Sequence, residues 1–427
     1  MSQQCCRIGF VSTRLSGTDG VSLEVEKWER ILSNMGHECF YFCGDSDRPP
    51  ERTHLVPEAH FLHPAIETLT AQLFEHSTRT DATSRDVQAL KDYLKEHLRQ
   101  FAMAFRIEIL IVENALSLPV NIPLGLALTE FIAQSNIPTI AHHHDFSWER
   151  KRFAHGAAED YLRAAFPPSL PSMRHVVINS FAARQLALRA GAGSTLIPNV
   201  MDFDNPPPPP DEVTANLRPV LGVGANEHLL LQPTRVVPRK RIEQAIELTR
   251  RLDSNCTLVI SHASGDEGSH YEAHLRNYAH LMGVRVILAS EEFDVKRRLL
   301  PDGRQVFSLA DIFHEADLVT YPSTVEGFGN AFLETIYHRR PIVISTYEIF
   351  KTDILPKGFK VIGFDEFIDS ATVQRASQLL QHPDEAQAMT EHNFQLGRRY
   401  YSFRTLERHL ALLMDESTHA WEWGQGG

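Results

Sequence analysis

Short, uninterrupted apolar runs recur along the chain, each followed by a longer stretch in which apolar residues return every third or fourth position. IGFVST (8–13) leads through a Gly17–Gly20 loop into a helical pattern near Ser22–Met35, and ECFYFC follows. A charged helix is expected over about Ser84–Ala104, with IEILIVEN, PTIAHHHDF and HVVINS as later strands. Strands interleaved with helices in this way predict a parallel sheet covered by helices on both faces.

The segment LIPNVMDFDNPPPPPDEV interrupts the alternation. Its consecutive prolines, Pro206–Pro210, cannot continue a helix or a central strand and predict a stiff polyproline II spacer. The pattern restarts with HLLLQPT, TLVISHA, VRVILA, ADLVTYP and RPIVIST, and a last amphipathic stretch covers Tyr400–Met414. At 427 residues the chain exceeds an ordinary single domain. The expected architecture is α/β, with two doubly wound, Rossmann-like domains on either side of a cleft. They are residues 1–204 and 217–398, joined by a proline-rich linker at 205–216, with a closing helix in 399–427.

Composition narrows the partners. Apolar content of 43% and charged content of 22% are those of a globular protein with ample core. A formal charge of −12 argues against nucleic acid or an anionic membrane surface, both of which select basic surfaces. No segment has the apolar length of a membrane span and none reads as a signal peptide, so a cytoplasmic protein without an integral membrane segment is expected. The five cysteines, an odd number without zinc-type spacing, fit reduced thiols.

The most informative stretch is YPSTVEGFGNAFLE (321–334), a strand end, a glycine-containing turn and a helix start. Backbone N–H groups at such a helix start suit an anion, phosphate above all. Glu326 and Glu334 then offer acceptors to sugar or ribose hydroxyls. Ordinary helix–sheet packing explains a strand-to-helix glycine turn equally well. A hydrolytic carboxylate pair fits less well, because eight helical residues span roughly 12 Å, beyond the ~5–9.5 Å such pairs need.

Three other segments carry candidate chemistry. Arg235, Arg239, Lys240 and Arg241 crowd one loop after HLLLQPT, an arrangement that suits an anionic leaving group, although a solvated basic helix start gives the same pattern. The Gly17–Gly20 loop lacks G-x-G-x-x-G, so a dinucleotide cofactor is unsupported. In HHHDF, His142 and His144 face one side of a strand, which raises a metal site. No further ligand cluster of suitable spacing accompanies them, so a metal-dependent hydrolase is the lesser reading.

E-G-F-G-N-A-F-L-E (326–334) is similar to the E-x7-E element of the retaining glycosyltransferases of family four, which have the GT-B fold. The resemblance extends to the glycine loop, the Arg/Lys loop and the histidine six residues after Pro138, and so covers nearly the whole chain. It implies that Glu326 contacts the donor sugar and Glu334 the ribose. The amides of Gly327, Phe328, Gly329, Asn330 and Ala331 would meet sugar hydroxyls and phosphate. Arg235 and Lys240 would clamp the diphosphate, leaving Arg239 and Arg241 to solvent, with Arg241 standing where the family has glycine. Gly20, with Gly17 beside it, would approach the donor phosphate, His144 would hydrogen-bond the donor sugar, and the loop at Ala289 and Ser290 would receive the base. Glu113, Asn114, Asn121 and Arg150 are candidate acceptor contacts, with caps, turns and surface solvation as alternatives. The family implies that the closing helix returns to the N-terminal domain, which serves the acceptor while the C-terminal domain holds the donor.

The expected activity is transfer of a hexose from a nucleoside diphosphate sugar, of the UDP-glucose or GDP-mannose type, to a hydroxyl of a small soluble acceptor. No cofactor is required and no divalent metal is expected to be essential. A binding protein without turnover is the alternative. SGTDGVSLE, HHHDFSWER and YPSTVEGFGNAFLE further resemble a subgroup associated with glycosylated glycerate solutes, such as mannosylglucosylglycerate synthases.

Overall fold

A computed structural model of the chain describes residues 5–17, 20–252, 255–263, 269–294 and 296–425. The chain divides into two compact units, Met1–Asn199 with Arg404–Gly427, and Val200–Phe403.

The first unit is built on strands β1 (Arg7–Val11), β2 (Glu38–Cys43), β3 (Thr53–Leu55), β4 (Ile109–Glu113), β5 (Thr139–His143), β6 (Met173–Val177) and β7 (Thr195–Leu196). They pair in the order β3-β2-β1-β4-β5-β6-β7, all parallel. The central strands are mostly apolar because helices cover both faces; Leu110 and Val112 of β4 pack with Leu98, Phe101 and Leu128 in one core. Each such fully buried Leu or Phe contributes about 1.5–3 kcal/mol. The long charged helix runs Asp81–Phe105, opened by the Thr80 hydroxyl accepting from Thr83 N at 3.1 Å.

The second unit repeats the plan. β8 (His228–Gln232), β9 (Cys256–Ile260) and β10 (Val286–Leu288) are followed by β11 (Phe293–Asp294), β12 (Arg298–Leu299) and β13 (Gln305–Ser308). Then come β14 (Leu318–Tyr321), β15 (Ile342–Ser345) and β16 (Ile362–Phe364). A parallel sheet has the order β10-β9-β8-β14-β15-β16, and β11-β13-β12 form a small separate sheet. Leu230, Ile246, Leu258, Leu318 and Val343 share the core.

Residues 205–216 belong to the second unit. Asp211 caps a short helix, Glu212–Ala215, and the buried Thr214 hydroxyl donates to Asp311 Oδ1 at 2.8 Å. The entry and exit of this unit are stitched together, with Met201 N donating to Tyr401 O at 2.9 Å and Met201 bridging Ser402. Among the described residues, no helix is long and apolar enough to cross a membrane.

In each large sheet the strand order reverses at one point, between β1 and β4 and between β8 and β14. Open parallel sheets bind ligands at the carboxyl ends of the strands flanking such a point. The Gly17–Gly20 loop follows β1 and Glu113 ends β4, and the cationic loop and Glu326 follow β8 and β14.

Candidate active site

In the second unit, the loop after β8 carries the cationic residues and the loop after β14 carries Glu326. A buried polar chain joins the two strands beneath them: Thr320 Oγ1 donates to Gln232 Oε1 at 2.7 Å, and Gln232 Nε2 to Thr234 Oγ1 at 2.8 Å. Above it, Thr324 N donates to Arg239 O at 3.0 Å, so the loops are fastened to each other.

Lys240 Nζ donates to Glu326 Oε1, with side chains 9% and 10% exposed, and Arg239 Nη1 reaches Glu326 Oε2 at 3.3 Å. Burial alone would raise the Glu326 pKa, but Lys240 and then Arg239 outweigh it and hold the carboxyl below its ordinary value. Burial pushes Lys240 down, opposed by Glu326. Arg239 therefore does not point simply to solvent as the resemblance implies; its guanidinium closes over the carboxylate. Arg241 is likewise engaged, capping the helix Ile242–Arg251 in the left-handed region (φ 48°) and donating to Glu366 O at 2.6 Å. Arg235 is exposed. Its charge acts on Lys240 and on His262, whose pKa burial lowers to about 4, with Lys240 and Arg235 reinforcing.

Gly329 opens the helix Asn330–Tyr337 at φ 110°, and a Cβ there would lie 2.1 Å from the Tyr347 hydroxyl. Only glycine fits this turn. The Tyr347 hydroxyl donates to Phe328 O at 2.8 Å, and the Phe328 ring is buried edge-on against Tyr401. Gly327 is exposed, Asn330 and Glu334 are half-buried and Ala331 is buried. Phe332 N and Leu333 N donate to Gly329 O at 3.0 and 3.2 Å, and the positive end of the helix dipole at this turn suits a phosphate or hydroxyl oxygen. Ser290, half-buried, follows β10 at the edge of the sheet.

In the first unit, β4 and β5 pair so that Glu113 lies beside His142. The buried Glu113 carboxylate meets His142 Nδ1 at 3.2 Å through Oε1 and His144 Nε2 at 3.0 Å through Oε2. Burial alone would raise Glu113; His142 and then His144 outweigh it and lower its pKa. Burial also lowers His142, whereas for His144 the hydrogen bond and charge of Glu113 overcome burial and raise it. Trp28 stacks on His142 at 4.3 Å.

These three groups lie close enough to hold a metal ion, with facing atoms within 4.8 Å. The same distances let both rings donate to the carboxylate, and buried His142 Nε2 has no partner.

Asn114, at φ 60°, accepts through Oδ1 from the backbone N–H groups of His144 (3.0 Å) and Asp145 (3.1 Å), and from the Ser117 hydroxyl (3.1 Å). It holds the strand end in place instead of presenting that oxygen to an acceptor. Asn121 corrects the acceptor assignment more firmly. It is 2% exposed and caps the helix Ile122–Ser135 through Leu124 N, and its amide donates to Glu58 O and Ala59 O at 2.9 and 3.0 Å. Arg150 is exposed and paired with Asp145 at 2.8 Å. Gly17 (φ 73°) donates its N–H to Asp47 Oδ2 at 3.0 Å, so that amide is engaged, and Gly20 begins the helix Gly20–Asn34.

Residue patterns place Glu113 among the acceptor contacts, but it is 1% exposed with both oxygens on the histidines; nor do those patterns single out His262 beside the cationic loop. The signal for Glu113 was the register of two parallel strands, which no single segment displays.

Two doubly wound parallel sheets, with a cationic loop and a glycine turn at a switch point, define the GT-B class of glycosyltransferases. Residues 213–395 match the family described as Glycosyl transferases group 1. The chain is 32% identical over 439 residues to a mannosylglucosylglycerate synthase of Thermotoga maritima, covering 94% of this chain and 98% of that one. It is also 32% identical over 380 residues to one of Petrotoga mobilis, covering 83% and 86%. The fold is shared with a sucrose-phosphate synthase of Thermosynechococcus elongatus (TM-score 0.67, 15% identity, 97% and 100% covered). It is shared as well with an Anabaena protein solved in complex with UDP and glucose (TM-score 0.61, 14% identity, 96% and 100% covered). The chain belongs to the group 1 glycosyl transferases and is a glycosyltransferase.

Proposed function

We propose that this enzyme moves a hexose from a nucleoside diphosphate sugar, of the UDP-glucose or GDP-mannose type, to a hydroxyl of a small soluble acceptor. Glycerate-type solutes are the acceptor class, as the names of the relatives suggest. The observation that carries this reading is the Lys240–Glu326–Arg239 group, set beside the Gly329 helix start at the switch point of the second sheet.

Within this reading, Glu326 orients sugar hydroxyls and Glu334 the ribose. Lys240 and Arg235 meet the diphosphate together with the amides of residues 327–331. As the bond from the anomeric carbon to the diphosphate oxygen breaks, negative charge grows on that oxygen, and these groups stabilise it. The acceptor hydroxyl attacks from the same face and passes its proton to the departing phosphate, so configuration is retained. Because the charge is met by side chains and amides, no divalent metal is essential. His144 hydrogen-bonds the donor sugar. The setting is cytoplasmic, in keeping with five cysteines none of which is disulfide-bonded.

The test is thermal unfolding with UDP, GDP, ADP and NAD in turn, followed by turnover with the matching sugar nucleotide and glycerate or glucosylglycerate, with and without chelator. A ligand at ~100 times its Kd adds about 2.7 kcal/mol to stability. Stabilisation by one nucleoside diphosphate and chelator-resistant transfer with a retained anomeric centre are expected. No response to any diphosphate, or inversion, overturns the reading.

A further inference from the structure

We propose that Glu113 is the positioning residue for His144, fixing the ring as its Nε2–H tautomer so that Nδ1 is offered as a hydrogen-bond acceptor to a ligand hydroxyl. This rests on the reading above that His144 serves the transfer.

An ionised carboxylate only accepts hydrogen bonds. Glu113 is buried and held ionised, so each imidazole nitrogen facing it carries the proton: Nδ1 of His142 and Nε2 of His144. His142 is thereby spent inside the fold, with its far nitrogen enclosed and its ring under Trp28. His144 differs. Its side chain keeps 8% exposure, and among the described residues no hydrogen bond engages Nδ1.

The tip of β4 fixes the same residue twice, since Glu113 sets the ring while Asn114 binds the His144 and Asp145 amides. Above its raised pKa the ring is neutral, and an imidazole held this way presents a lone pair. That lone pair selects a group bringing its own proton, a sugar or polyol hydroxyl, over a phosphate or carboxylate oxygen; below that pKa both ring nitrogens donate and the preference reverses. The other charged groups facing His144 are Glu24, from the helix Gly20–Asn34, and Asp145. Glu24 Oε2 accepts from Lys27 at 2.8 Å while its Oε1 is buried without a partner, and Asp145 Oδ2 accepts from Arg150 at 2.8 Å; among the described residues no hydrogen bond joins either carboxylate to the His144 ring.

The test combines long-range 15N–1H spectra of histidine-labelled full-length enzyme, assigned with His144→Gln, with kinetics of Glu113→Gln. A glutamine offers one acceptor oxygen, so only one of the two ring N–H bonds survives. Expected are the Nε2–H pattern for His144 in the wild-type enzyme above its pKa, and at least about a tenfold fall in kcat for Glu113→Gln. A wild-type His144 carrying its proton on Nδ1 overturns the proposal whether or not the variant folds. So does a folded Glu113→Gln enzyme within twofold of wild-type turnover. Near-wild-type turnover of His144→Gln would instead refute the use of His144 in the reaction, an outcome the tautomer spectra distinguish.

Discussion

Replacing Lys240 with methionine keeps the length and apolar stem of the side chain and removes its charge. Glu326 would then be left inside the protein with Arg239 as its ion-pair partner, a side chain 37% exposed and 3.3 Å away, beside the Ser323 and Tyr321 hydroxyls. Breaking a buried pair by removing one partner costs about 3–5 kcal/mol, because the other charge stays desolvated. Arg239 brings the expected cost to the lower end, about 3 kcal/mol, on the order of a hundredfold in the unfolding equilibrium. Adding Glu326→Gln removes the stranded charge and should return all but about 1 kcal/mol, since replacing both partners of a buried pair is often close to neutral. Turnover should behave differently: both variants lose a group that meets the leaving charge, a change of about 10²–10³ in kcat. With two units in the chain, a single unfolding curve is not a two-state measurement. Hydrogen exchange at the amides of β8 and β14 is therefore the assay, beside sugar transfer. The reasoning fails if Lys240→Met costs under about 1 kcal/mol at those amides, or if the double variant regains turnover along with stability.

Asn121→Ala removes a helix cap and two clamps on a loop, for an expected loss of about 2 kcal/mol by hydrogen exchange at the amides of β4 with the acceptor KM unchanged; a raised acceptor KM at full stability would return Asn121 to the site. His175, buried against His143 Nε2 at 2.9 Å, has its pKa lowered from 6.5 to about 4 by burial. The folded chain then binds fewer protons than the unfolded chain in that interval, so stability falls as pH drops from about 6.5 to about 4. The loss from this group is about 3 kcal/mol, and it should vanish in His175→Phe if that variant folds. An acid limb identical in the variant contradicts the assignment. Gly329→Ala drives a Cβ into the Tyr347 hydroxyl and forces a non-glycine residue to φ 110°. Calorimetry should show at least about a tenfold weaker Kd for the nucleoside diphosphate at roughly 1–3 kcal/mol lower stability; undiminished binding would take the turn out of the donor site.

Where burial on both faces makes a strand apolar throughout, the sequence displays it directly: ECFYFC coincides with β2, and HLLLQPT and ADLVTYP contain β8 and β14. β3 and β7 are short edge strands with little apolar content, and β11–β13 form a small sheet without an apolar run, so none announced itself. Candidate chemistry was legible as residue types in loops after strands. What local sequence withholds is partnership across the fold: that Arg239 turns back onto Glu326, or that Glu113 reaches a histidine some thirty residues on. Asn121 is a different case. Asn-Ile-Pro at the start of an apolar stretch is a helix-start signal, and it was available to be weighed above acceptor binding.

The joining of residues 201 and 402 has a consequence for how the chain is made. The second unit occupies one continuous stretch whose two ends are hydrogen-bonded side by side, so it holds everything its own sheet needs once residue 403 has been synthesised. The first unit does not: residues 404–425 belong to it although its strands are finished two hundred residues earlier. During synthesis the half that begins first is thus completed last. A break in translation or a proteolytic cut just after residue 403 would spare the second unit and leave the first without its final helix.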